Sequence, residues 1–131
     1  MKGQIFPDVM LKVVTLTRSG LTSAGISGVT VGTRLPVKGQ AAARPYVMVR
    51  NDGAGLEAGG VVENSTVRIA IWHTSEAAGL ALAQVVRSFL LDARSAGVHS
   101  VVPLSGPFTT DDPDTGSPLC YFTLAVRTRP A

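Results

Sequence analysis

The chain has 131 residues, enough for one domain with its own core. Apolar residues make up 45% and charged residues 16%, which argues against a disordered tail and a coiled coil; 14 Gly and 8 Pro point to many turns. The formal charge of +3 comes from scattered bases with no run of three, so the chain is compatible with a polyanion, but sequence-specific DNA reading is not supported.

In chain order, Phe6 to Arg18 reads as a helix. Pro7 suits its first position, Asp8 its N-terminal charge, and Gly20 its stop. Val9, Val13, Leu16 and Phe6 mark one face at spacings of three and four. Residues 21–28 read as loop or irregular strand. Val29, Val31 and Leu35 then share one side of a strand, with Thr30 and Arg34 opposite and Pro36 ending it. Val37 to Arg44 is expected to be a loop. Pro45 opens a strand in which Val47 and Val49 alternate with Tyr46, Met48 and Arg50.

Asn51 to Asn64 holds four glycines and is expected to be a long mobile loop. Ser65 to His73 is the clearest strand, with Val67, Ile69 and Ile71 facing one way and Thr66, Arg68, Ala70 and Trp72 the other. Thr74 or Ser75 caps a second helix whose expected stripe is Ala78, Leu82, Val85, Val86, Phe89 and Ala93; Arg87 and Arg94 fall near its outer face and end, and Gly97 closes it. Val98 to Leu104 is a strand cut by Pro103. Gly106 to Pro118 is a turn-rich loop, and Leu119 to Thr128 is the last strand, with Phe122, Leu124 and Val126 on one side. The pattern predicts a single α+β domain over residues 1–131. A mostly antiparallel sheet of about five strands carries two helices on one face, and its other face meets solvent or another subunit.

The search for chemistry yields no catalytic set. No G-x-S-x-G is present, and Cys120, the single cysteine, reads as an ordinary buried thiol. His73 and His99 have no ligand partner at metal spacing. Gly53-Ala54-Gly55-Leu56-Glu57-Ala58 loosely fits a dinucleotide fingerprint, but a strand rather than a helix follows. Asp111, Asp112 and Asp114 lie among prolines without a closing Glu, so they read as a solvated turn. Tyr46, Trp72 and Tyr121 read as packed rings. The first eight residues hold no signal-peptide core, and the longest uncharged runs are too short and too rich in Gly, Ser or Pro to span a bilayer. The expectation is a cytosolically made protein that is not an enzyme, with no cofactor, no metal and no membrane contact.

Four stretches carry a resemblance: Phe6-Pro7-Asp8-Val9; Pro45-Tyr46-Val47-Met48-Val49-Arg50 with a Gly-rich loop ending Gly59-Gly60; Val67 to His73 running into a helix at Ala78; and Gly106-Pro107 with Asp112-Pro113 before a strand ending Arg127-Thr128-Arg129. Together they resemble the tail terminator (neck or tail-completion) proteins of long-tailed, non-contractile phages, especially those of actinobacterial hosts. The resemblance implies a structural virion protein, assembled in the host cytoplasm and located at the phage neck. As a hexameric ring it would cap the tail tube, stop elongation and dock the head–tail connector, or stopper. Duplex DNA would pass through the lumen without sequence specificity. A radius of gyration of ~14 Å corresponds to spheres of roughly 18 Å radius, and six of them in a ring leave an opening of roughly 36 Å. The residues expected at subunit or partner interfaces are Arg34, Arg50, Arg68 and Arg127 on the uncovered sheet face and Gly53, Gly55, Gly59 and Gly60 in the loop. The rivals are another head–tail joining protein and a small α+β ligand-binding domain with a pocket between sheet and helices.

Overall fold

The computed structural model describes residues 5–36, 45–57, 62–92 and 97–130. The expected loop Val37–Arg44, the glycines Gly59 and Gly60, and the helix positions Ala93 and Arg94 lie outside the described residues.

Helix α1 spans Val9–Ser23 and is longer than its apolar spacing suggested. Asp8 is its N-cap rather than part of its first turn: the carboxylate accepts the Leu11 N–H at 3.2 Å. Gly20 does not end it. The helix runs one turn further and closes at Gly25, whose φ of 73° suits glycine. There the Ile26 N–H reaches the Leu21 carbonyl at 2.9 Å and the Gly25 N–H reaches Thr22 at 3.1 Å, a Schellman closure. Gly20 instead marks a close helix–helix approach, because a Cβ there would sit 2.6 Å from Phe89 Cγ.

Strand β1 is short, Thr30–Gly32; β2 covers Tyr46–Glu57, and β3 covers Val62–Trp72. Helix α2, Glu76–Asp92, starts at a Ser75 cap whose hydroxyl accepts the Ala78 N–H at 3.2 Å. Its buried residues are Gly79, Leu82, Ala83, Val86 and Leu90. The expected stripe was therefore rotated: Leu82 and Val86 are buried as expected, while Ala78, Val85 and Phe89 are only half-buried. Strand β4 covers Val98–Asp111 and β5 covers Pro118–Thr128. The five strands form one sheet in the order β1-β2-β3-β5-β4. Only β1 and β2 run parallel; the remaining pairs are antiparallel.

Both helices pack on one face of this sheet. Val47, Val49, Val67, Ile69, Ile71, Phe122, Leu124 and Val126 meet Val9, Val13, Val14, Leu21, Leu82, Val86 and Leu90 there in one buried cluster. The alternation of strand side chains dictates this, since the alternating positions Val47 and Val49 of β2, Val67, Ile69 and Ile71 of β3, and Phe122, Leu124 and Val126 of β5 are large aliphatic or Phe. The fold is α+β, with the mostly antiparallel five-stranded sheet and one-sided helix layer that the pattern predicts.

Two expected loops are partly strand. The span 51–64 is not one long loop: 51–57 extends β2, 62–64 extends β3, and the two pair as a hairpin from Asn51↔Val67 to Glu57↔Val62. A bulge between Asn51 and Gly53 absorbs the irregularity; Gly53 has φ 144° and donates its N–H to Asn51 Oδ1 at 3.0 Å. The span 106–111 continues β4 past Pro103. A proline without an N–H is tolerated because β4 pairs only with β5 and lies at the sheet edge. Register shifts accompany it, and at one of them the Ser105 hydroxyl, rather than a backbone carbonyl, accepts the Thr123 N–H at 3.1 Å. The turn that does exist is 112–117.

Candidate functional site: an arginine cleft on the uncovered sheet face

Among the described residues no helix lies over the second face of the sheet. Near β1 its floor is aromatic and apolar: Tyr46, Met48, Ala70 and Trp72 are buried, with Leu119 and Tyr121 packed alongside. Tyr46 and Trp72 face each other across β2 and β3, edge to face at 6.1 Å, and Phe108 meets Tyr121 across β4 and β5 at 4.0 Å.

The segment after β1 folds over this floor. The Tyr46 hydroxyl donates to the Arg34 carbonyl at 2.7 Å, and Arg50 Nη1 donates to the Thr33 carbonyl at 2.8 Å. From the other side of β1, Arg18 Nη2 donates to the Val31 carbonyl at 2.8 Å. Gly32 makes the arrangement possible, since a Cβ there would lie 2.5 Å from the Tyr46 hydroxyl oxygen. The pinned segment brings Arg34 and Leu35 beside Met48, Arg50 and Arg68, and these five residues line an open cleft of about 380 Å³.

Three of the four predicted arginines thus share one cleft, while Arg127 does not. It lies on the same face but in register with Asn64 and Ser100, four residues along β5 from the Thr123 that pairs with Arg68. Gly53 and Gly55 lie on the β2 arm of the hairpin, away from the cleft, and a Cβ at either would meet nothing within 4 Å.

Asp52 is the one carboxylate paired with a cleft arginine among the described residues, 3.5 Å from Arg68 Nη2. Both side chains are about two-fifths exposed, so the pair contributes little to stability. Arg68 Nε is buried without a hydrogen-bond acceptor. Three guanidiniums therefore face one carboxylate, in a fork geometry suited to bidentate binding of carboxylate or phosphate.

The groups weighed as catalysts lie elsewhere. Cys120 is buried under the helices, and burial first, then the charge of Glu76, pushes its thiol pKa up. His73 Nδ1 accepts the Thr74 N–H at 2.8 Å at the end of β3, and His99 is exposed on β4. Among the described residues no three His, Cys, Asp or Glu side chains are placed to hold a metal ion, and no helix is long and apolar enough to cross a membrane.

The acidic turn has a structural role that sequence reasoning missed. The Trp72 indole N–H donates to Asp112 Oδ2 at 2.7 Å, and the Asp114 N–H donates to Oδ1 at 2.9 Å. These two bonds, the backbone one first, hold the Asp112 pKa below its ordinary value. A Trp with one face in a sheet and an Asp before Pro in a turn were both visible, but their pairing across 40 residues was not.

The fold and cleft define a two-layer α+β domain with one face packed under helices and, among the described residues, one face without a helix over it. No protein-family model matches the chain, and no curated protein matches it.

Proposed function

We propose that this chain is a structural virion protein of the tail-terminator kind, which closes into a hexameric ring on the end of a phage tail tube, halts elongation and offers the opposite surface to the head–tail connector. The observation that carries the reading is the uncovered sheet face. It combines an arginine cleft with exposed apolar side chains, Leu35 on one side and Val102 and Phe108 on the other. Such a face costs solubility unless a protein covers it. Both sheet edges also invite a neighbour: among the described residues β4 presents 14 residues with no strand beyond it, and β1 pairs with only Tyr46–Met48 of β2. A ring is the closed form of repeated head-to-tail contact.

The resembling stretches fall at the joints of this design: the α1 cap, the start of β2, the passage from β3 into α2, and the bulge and turn of β4 and β5. The chemistry of the cleft is that of binding an anion, with no nucleophile or general base lining it.

The test is negative-stain imaging and solution mass of the purified protein, alone and after mixing with tail tubes. Six-fold rings or newly capped tube ends are expected. A protein that remains monomeric and leaves every tube end bare would overturn the reading and favour a small ligand-binding domain.

A further inference from the structure

We infer that the arginine cleft receives the acidic β4–β5 turn of a second copy of this chain, so that Asp111 and Asp114 of one subunit meet Arg34, Arg50 and Arg68 of the next. The inference rests on the ring reading and supplies its contact.

The charge distribution motivates it. Of the nine acids in the chain, three fall within Asp111–Asp114, the densest acidic stretch. Asp112 is spent on Trp72 and on its own turn, whereas Asp111 and Asp114 are exposed and have no partner among the described residues. The cleft is the complementary surplus: among the described residues Arg34 has no acid paired with it, Arg68 shares Asp52, and Arg68 Nε lacks an acceptor.

Among the described residues the two do not meet within one chain: no ion pair joins Asp111 or Asp114 to a cleft arginine. The cleft lies over β1, β2 and β3, and the turn joins β4 to β5. Three strand spacings, about 14 Å, separate β2 from β4, and Arg68 lies four residues along β3, roughly 13 Å, from the Trp72 that holds the turn. Donor and acceptor are thus separate surfaces of one chain, as a head-to-tail contact requires.

Both parts are preorganised. The turn is closed by Asp112 N–H to the Ser117 carbonyl at 2.8 Å and Gly116 N–H to the Asp112 carbonyl at 2.7 Å, and Trp72 draws it toward the uncovered face. The cleft wall is held by Tyr46 and Arg50. Little ordering entropy remains to be lost on contact.

Cysteine cross-linking tests this without a tube. Leu35→Cys lies in the cleft at 72% exposure, and Pro113→Cys lies in the turn and leaves all three acids in place. Native Cys120, 2% exposed, stays silent. Leu11→Cys on the outer side of α1, 62% exposed, is the control partner for Pro113→Cys. Mixed single variants should give Leu35–Pro113 heterodimers at least about tenfold above the control pair, falling as salt rises. The double variant should give a ladder ending in a closed species. Adding Asp111→Lys and Asp114→Lys should lower the yield about tenfold or more, and adding Arg34→Glu to that background should recover part of it. Equal yields for test and control pairs, or yields indifferent to the charge reversals, would overturn the contact. So would protection of the cleft by duplex DNA in place of the acidic turn. Tube ends capped normally by the Asp111→Lys, Asp114→Lys variant would remove this contact and keep the capping role. Specific cross-links from a protein that never caps tubes would do the reverse.

Discussion

The two faces of the sheet are made by the same strands and obey different rules. On the helix-covered face, the central alternate residues Val47, Val49, Val67, Ile69, Ile71, Phe122, Leu124 and Val126 of β2, β3 and β5 are aliphatic or Phe, and all are buried. On the other face, the intervening residues are Tyr46, Met48, Arg50, Arg68, Trp72, Tyr121 and Thr123. The first face is saturated by its own chain. The second is half-finished: its floor is buried near β1, its rim carries guanidiniums, and its apolar side chains at Leu35, Val102 and Phe108 remain exposed. The difference teaches that folding completes one side of the layer and leaves the other for the assembly proposed above. Substitutions should sort accordingly, into those that change stability and those that change association.

The largest effect belongs to the finished face. Phe122→Ala removes a fully buried ring at the centre of the cluster and should cost about 3–5 kcal/mol, read as a lower denaturant midpoint. Gly20→Ala comes next. Its methyl would press on the Phe89 ring and force α1 and α2 apart, at about 1–3 kcal/mol in spite of the better helix propensity of alanine. A stabilised Gly20→Ala variant would refute the close helix contact.

The tie between Trp72 and Asp112 joins the uncovered face to its turn. Trp72→Phe keeps the ring and loses the indole donor, for about 1–2 kcal/mol. The tie also has a pH signature. The folded-state pKa of Asp112 is depressed, so the unfolded chain binds that proton more readily. The stabilisation is fully present above the ordinary carboxylate value and is lost as pH falls through the depressed folded value. Asp112→Asn should flatten that acid limb of a stability–pH curve and leave the neutral region sloped as in the wild type.

The smallest effect on stability is expected at the cleft. Arg68→Gln breaks an exposed pair with Asp52 and should shift unfolding by less than about 1 kcal/mol. The same substitution should weaken self-association, read as solution mass against concentration. If it unfolded the protein instead, the division between the two faces would fail.

Much of this was legible in the sequence where a single period governed it. The alternation in Val47–Val49, Val67–Ile71 and Phe122–Val126 marks the core side of three strands, and the same alternation puts Arg50 and Arg68 on the other face. What was not legible depended on partners distant in the chain. The glycines of 51–57 disfavour a strand by local propensity, yet pairing with β3 makes one. Pro103 reads as a stop until β4 is known to be an edge strand. Gly20 and Gly25 look alike as helix terminators, and only the approach of Phe89 tells them apart. Alternation assigns Arg127 to the correct face but not to the cleft, because parity fixes a side of the sheet and not a position along it. Arg34 joins Arg50 and Arg68 through the fold of 33–36 over Tyr46, a tertiary event with no local signal.

The most direct test is the fraction of tail-tube ends capped, counted by electron microscopy, for the wild type and for the Arg34→Glu, Arg68→Gln double variant at matched concentration. The account predicts capped ends with the wild type and bare ends with the variant, while both unfold within about 1 kcal/mol of each other. Equal capping by the two proteins, or bare ends with both, would contradict it.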